Sequence, residues 1–261
     1  MRSTNEQATA FKRLHTPGNP LWLANVHNEE AARIVAAKPR SKALATASFS
    51  IALANQTEDS KLSLETQLAA IAPIAAVARE YKKHLTVDLQ DGYGDRLGEA
   101  VGKIIELGAV GINIEDSDQA TGAMIPEVIA VERIRRVLAA ATEAGVPDFV
   151  VNARSDIYLR EGDLEAAIRR GKGYLDAGAT VVYILGYKAG PLSRGDVEKI
   201  VKALGGRVNL AMRLPRPGQK APTLHREDLA DLGVARVSIG PQLFHVPPEE
   251  VPAAVAYVLG E

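Results

Sequence analysis

Residues 107–111 read Leu-Gly-Ala-Val-Gly, and kindred phrases recur as Ala-Gly-Ala-Thr-Val at 177–181 and Leu-Gly-Val-Ala-Arg at 232–236. In each, a glycine follows a stretch of helical periodicity and precedes a β-rich run, the place where a helix C-terminus takes up a left-handed residue. Outward from these joins, short apolar runs alternate with helical segments along the chain. The pairs fall at 21–25 with 28–37, 43–48 with 63–81, 85–89 with 97–107, 111–114 with 126–144, 149–153 with 164–177, 181–185 with 196–204, 208–211 with 227–232, and 237–240 with 252–259. Asn28 and Ser63 stand where helix caps are needed, Pro73 predicts a kink and Gly145 a stop. Strands alternating with helices imply a parallel sheet. Eight such units predict closure into a single α/β domain, a (β/α)8 barrel over residues 1–261.

Composition narrows the partners. With 46% hydrophobic residues among 261, the chain can bury a sizeable core. Its 31 basic and 32 acidic residues are interspersed and nearly cancel, so no long-range field favours nucleic acid or an anionic membrane. The sequence has no cysteine, which excludes disulfides, thiolate metal sites and a cysteine nucleophile. Residues 1–11 lack the apolar core of a secretory signal, and no apolar run approaches the ~18 residues of a membrane span. The expectation is a soluble, cytoplasmic protein that acts on a small molecule.

In a barrel of this kind the chemistry lies at the C-terminal ends of the strands. Those ends read Asn25-Val26-His27, Ser48-Phe49-Ser50, Asp88-Leu89-Gln90-Asp91, Glu115-Asp116 and Asn152-Ala153-Arg154-Ser155-Asp156. Carboxylates converging from adjacent strands repel unless a cation or a proton offsets them, and hard oxygen ligands select Mg²⁺ or Mn²⁺. The plainer alternative is that the acids cap helices or pair with Arg154. Arg154 offers a permanently charged fork for a substrate carboxylate, against which stands an ion pair with Asp116 or Asp156. His27 is a candidate proton carrier, and Tyr93, set in the turn Gly92-Tyr93-Gly94, a candidate substrate contact. Tyr158, Tyr183, His15, His84, His225 and His245 read as packing or surface residues. The proline-rich segment 213–222 reads as a lid or a solvated loop.

Three stretches, Thr-Val-Asp-Leu-Gln-Asp-Gly-Tyr-Gly-Asp (86–95), Gly-Ile-Asn-Ile-Glu-Asp-Ser (111–117) and Asn-Ala-Arg-Ser-Asp-Ile-Tyr-Leu (152–159), resemble in order and spacing the phosphoenolpyruvate mutase and isocitrate lyase superfamily. Phe-Lys-Arg-Leu-His (11–15), Leu-Ala-Thr-Ala-Ser (44–48) and Ala-Arg-Val-Ser-Ile-Gly-Pro (235–241) extend the resemblance over nearly the whole chain. It implies Asp88 as the nearest Mg²⁺ ligand, Glu115 holding a metal-bound water, and Arg154 on the substrate carboxylate. Ser48 and its backbone would receive the substrate's other end, with Phe49, Tyr93, Asn152 and His27 as further contacts. The chemistry implied runs through an enolate of a pyruvate-like fragment. Relatives exchange a C-terminal helix between subunits, so the resemblance also implies a homodimer or homotetramer, the helix after Pro247-Pro248 swinging away from its own barrel.

Three departures from the pattern bear on activity. Gln90 stands where the superfamily has a second carboxylate, which removes one negative charge from the metal set, and Asp91 should face away. The cysteine loop of isocitrate-type lyases is missing, as are the Lys and Asn of mutase-type loops; residues 118–127 carry Gln119, Thr121 and Met124 instead. The turn after the second strand reads Asn-Gln-Thr-Glu-Asp (55–59), where Glu58 or Asp59 could supply its acid. The leading expectation is a Mg²⁺-dependent carbon–carbon lyase or decarboxylase of a small 2-oxo or 2-hydroxy di- or tricarboxylic acid. The alternatives are a phosphonate or acyl-oxaloacetate hydrolase or mutase on the same scaffold, and a barrel that has lost metal chemistry and serves binding or assembly.

Overall fold

The computed structural model describes residues 3–186, 192–215 and 224–261. Its strands are β1 (Leu21–Leu23), β2 (Asn25–Val26), β3 (Ala43–Thr46), β4 (His84–Asp88), β5 (Gly111–Glu115), β6 (Val150–Ser155), β7 (Val181–Ile184), β8 (Val208–Ala211) and β9 (Arg236–Ser238). All pair in parallel, in the order β1-β9-β8-β7-β6-β5-β4-β3-β2. β1 and β2 are two halves of one strand parted at Ala24. The first half pairs with β9 (Leu21 opposite Arg236) and the second with β3 (Asn25 opposite Ala45), so the sheet closes on itself as the expected barrel. Asn25 fastens the join: its Oδ1 accepts from the main-chain N–H groups of Ile239 and Gly240, and its Nδ2 donates to the carbonyl of Thr46.

The helices ring this sheet for the reasons their sequences suggest. Asn28 and Ser63 cap α2 (Glu29–Ala36) and α4 (Leu64–Glu80) by accepting from Ala31 and Thr66 N–H. α4 runs unbroken past Pro73. The joins after α5 (Leu97–Glu106), α8 (Leu164–Asp176) and α10 (Arg226–Asp231) turn through Gly108, Gly178 and Gly233, at φ of 99°, 106° and 89°. α6 (Glu127–Glu143) and α9 (Arg194–Leu204) complete the regular set.

Three helices were not legible in the sequence: α1 (Thr4–Lys12), α3 (Ser48–Ala54) and α7 (Ile157–Glu161). α1 lies across the N-terminal ends of the strands, where Phe11 is fully buried against His84 and the start of β5. α3 corrects the reading of Ser48 as a strand end; β3 stops at Thr46 and Ser48 opens the helix. α11 (Val251–Leu259) supplies a second correction, for it packs on α2 and β1 of its own chain. Pro248 begins a short 3₁₀ turn, Pro248–Glu250, that feeds straight into α11. The helix then buries Val251, Val255, Val258 and Leu259, which would be costly to expose. The segment 213–222 lies outside the described residues from 216 onward. Among the described residues no helix is long and apolar enough to cross a membrane.

Candidate active site

Asp88 ends β4 and is held from four directions. Its N–H donates to Thr46 Oγ1 at 2.9 Å and its carbonyl accepts from Gln67 Nε2 at 2.6 Å. Its Oδ1 accepts from Asn113 Nδ2 at 2.8 Å and its Oδ2 from the Ser48 N–H at 3.0 Å. Asn113 is steadied in turn by Asn152 Nδ2 at 2.8 Å, so Asn152 lies in the buried barrel interior, one link below Asp88.

On the neighbouring strands, Glu115 of β5 is in register with Arg154 of β6, and Arg154 Nη1 lies 2.8 Å from Glu115 Oε2. Arg154 also binds Asp156 through Nε at 2.6 Å and Nη2 at 2.9 Å. Asp116 does not pair with Arg154. It sits behind the site, where its carboxylate takes bonds from Ser155 Oγ, Tyr174 OH, Arg170 and the Asp156 N–H, and so fixes the backbone that presents Arg154 and Asp156.

Asp59 is the acid of the turn after β3 that enters the site, whereas Glu58 is exposed and pairs with Lys61. Gln90 Nε2 donates to both the Asp59 carbonyl, at 2.6 Å, and Asp59 Oδ1, at 2.9 Å. Gln90 therefore spends its amide nitrogen restraining a neighbouring carboxylate. Asp91 faces elsewhere, as its position predicts: it accepts from the N–H groups of Tyr93 and Gln119 and ties two loops together. Gln119 reaches back into the site and donates to Glu115 Oε1, which Ser117 Oγ also approaches at 3.1 Å.

The electrostatics follow from this crowding. Burial pushes the Glu115 carboxyl up to about 8; Arg154 opposes the rise, and Asp156, Asp88 and Asp59 add to it. Gln119 Nε2 and Arg154 Nη1 can only donate to Glu115, so both favour its charged form, as a nearby cation would. Asp59 is raised by burial first and by Asp88 second, with bonds from Ser48 and Gln90 drawing it back. Burial raises the Tyr93 phenol well above its usual range, so it stays protonated. Burial lowers His27, against the pull of Glu30, and leaves a neutral ring whose edge meets Phe244 at 5.0 Å.

Among the described residues no three His, Asp or Glu side chains form a ready-made metal cage. Asp88 nevertheless raises the proton affinity of both Asp59 and Glu115 where the three converge, and that is a donor set for a small, hard, largely hydrated cation. Mg²⁺ characteristically keeps several waters and takes only one or two carboxylates. Of the residues expected at the site, Asp88, Gln90, Glu115, Arg154, Ser48 and Tyr93 come together. Phe49, 42% exposed, stands on the first turn of α3, and His27 makes no hydrogen bond to the group. Asp59 was one of two choices in the sequence, and Gln119 was named there in the loop after β5; Thr46, Gln67 and Asn113 went unread. Only Gln67 left a trace, as an amide on the apolar face of α4 beside Leu64, Ile71 and Ile74.

A sequence profile of the family described as phosphoenolpyruvate phosphomutase matches residues 11–259. An uncharacterized Mycobacterium tuberculosis protein is 32% identical over 235 residues, covering 88% of this chain and 81% of that one. The 2-methylisocitrate lyase of Escherichia coli is 29% identical over 191 residues, covering 69% and 62%. The crystal structure of a Burkholderia cenocepacia J2315 protein with the provisional name phosphonomutase superposes with a TM-score of 0.83 at 32% identity, covering 96% of this chain and 99% of that one.

Proposed function

The chain belongs to the phosphoenolpyruvate phosphomutase family, and on that premise we propose that it is a Mg²⁺- or Mn²⁺-dependent carbon–carbon lyase or decarboxylase of a small 2-oxo or 2-hydroxy di- or tricarboxylic acid. The observation that carries this reading is the half-buried Arg154 guanidinium set beside the converging acids Asp59, Asp88 and Glu115. Asp88, Asp59 and Glu115 would hold the metal, with Gln90 restraining Asp59. Bound there, the ion supplies Lewis-acid stabilisation for negative charge developing on a substrate oxygen.

The protein's own groups supply the rest. Three of the five N–H donors of Arg154 are engaged by Glu115 and Asp156, which leaves two for a substrate carboxylate. Such a charge-assisted fork orients the acid as well as binding it. Tyr93, protonated throughout the neutral range, is not a base, and its one hydroxyl hydrogen is already given to Gln67 Oε1. Gln119, on the loop after β5, holds Glu115 through its amide nitrogen. No thiol takes part, since the sequence has no cysteine.

The test is a panel of 2-oxo and 2-hydroxy di- and tricarboxylic acids, assayed with Mg²⁺ and with Mn²⁺ for release of pyruvate, oxaloacetate or glyoxylate. Metal-dependent release from at least one member is expected, and no turnover of any member with either ion overturns the reading. A phosphonate substrate is the second reading, favoured by the end-to-end similarity to the Burkholderia protein, and phosphate release from phosphonates would reveal it. For the assembled form we propose a homodimer or homotetramer, with Val128 and Ile129 on α6 as exposed apolar residues available to a contact.

A further inference from the structure

Two non-glycine residues in the turn after β4 adopt left-handed backbone angles, Gln90 at φ 53° and Tyr93 at φ 60°, with Gly92 at 90° between them. Each such residue costs on the order of 1 kcal/mol or more, so the turn persists only because its surroundings hold it. Gln90 is held by Asp59, and the Tyr93 main chain by Asp91. The remaining tie starts from the opposite side. Tyr93 OH donates to Gln67 Oε1 at 2.5 Å, and Gln67 Nε2 donates to the carbonyl of Asp88 at 2.6 Å.

Gln67 is wholly buried on the face of α4 that otherwise presents Leu64, Ile71 and Ile74. A primary amide there costs several kcal/mol unless both of its ends find partners. Its orientation is dictated by chemistry: a carbonyl can only accept, so the nitrogen must face Asp88, and the oxygen is then left for the Tyr93 hydroxyl. One side chain thus spans the start and the far side of the strained turn. It meets the main chain at Asp88, the residue whose carboxylate direction the site depends on.

We propose that Gln67 is a positioning residue for the metal site: its amide clamps the Asp88 peptide to the Tyr93 hydroxyl and so fixes where the Asp88 carboxylate points. The role rests on the reading of Asp88 as the metal ligand. Groups that hold a ligand in place contribute to affinity without touching the ion, and their loss commonly costs 10–100-fold.

Isothermal calorimetry with Mg²⁺ alone, and with Mn²⁺, tests this on the full chain. Gln67→Met keeps the side chain's volume and suits the apolar surroundings, and it should weaken binding at least about tenfold. Tyr93→Phe leaves the bond to Asp88 and should weaken binding less. The double variant Gln67→Met/Tyr93→Phe, which strands no hydroxyl, serves if the single one does not fold, and the same tenfold loss is expected of it. A Gln67→Met protein that melts lower yet binds Mg²⁺ within about twofold of wild type overturns the role and leaves the metal reading standing. Wild-type protein that binds neither ion overturns the metal reading, and this role with it.

Discussion

Both carboxylate oxygens of Asp156 grip Arg154, Oδ1 on Nε at 2.6 Å and Oδ2 on Nη2 at 2.9 Å. The guanidinium therefore stands in one orientation before any substrate arrives. Asp156→Asn keeps the shape and removes one of its two countercharges, leaving Glu115 to balance a half-buried cation. The expected loss is about 3 kcal/mol of unfolding free energy, read from urea denaturation, together with a fall in kcat/KM toward carboxylate substrates. An unchanged urea midpoint would show that Glu115 alone suffices.

Gln90→Asp restores the charge that this chain lacks. Aspartate tolerates the left-handed backbone at 90 better than glutamine does, but it gives up the amide bonds to Asp59 and places two carboxylates together. Without metal the variant should be less stable than wild type by about 1–2 kcal/mol. With saturating Mg²⁺ it should show the larger upward shift in melting temperature. Differential scanning calorimetry with and without the ion checks both signs.

His15 gives a pH dependence of stability. Burial first, and the Arg236 charge second, push it down to about 3, against the opposing pull of the Phe11 carbonyl, which lies 3.1 Å from its ring Nδ1. The folded value lies below the unfolded 6.5, so the unfolded chain binds the extra proton between the two. Stability from this residue is complete above pH 6.5 and is lost as the pH falls toward 3. The drop from pH 7 to 4.5 should be about 2.5 kcal/mol, and His15→Phe should flatten it. Urea titrations of both proteins at the two pH values provide the comparison.

Gly111 begins β5 beneath the site, and there is no room for a side chain. A Cβ there falls 2.8 Å from the Val150 carbonyl oxygen and 2.9 Å from Val150 Cβ, with the Phe11 ring at 3.2 Å. Gly111→Ala should cost about 1–3 kcal/mol, since two of the three obstacles belong to the adjoining strand. Thermal unfolding followed by circular dichroism measures it.

Periodicity made the barrel legible. Helices such as 64–80 and 127–143 run long enough for their apolar faces to recur several times, and glycines at 108, 178 and 233 mark the turns into the next strand. α3 escaped because it has seven residues and opens Ser-Phe-Ser, an alternation that suits a strand as well. Asp88, Glu115 and Arg154 were legible because each ends or nearly ends a strand, where side-chain direction follows from the pleat. Asp59 lies in a polar turn whose path no period fixes. Gln67 and Asn113 act across 21 and 25 residues of sequence on Asp88, and partners so remote become visible only once helix and strand are packed.

The split of the first strand at Ala24 has a consequence for how the protein is made. One half of that strand waits for β3, which follows within 20 residues, but the other half pairs with residues 236–238. A ribosome delivering the chain from its N-terminus leaves Leu21 without its neighbour until more than 200 further residues have emerged. Asn25 likewise meets Ile239 and Gly240 only then. The ring cannot close before residues 236–238 have emerged, so its completion is a late event set by translation as much as by folding.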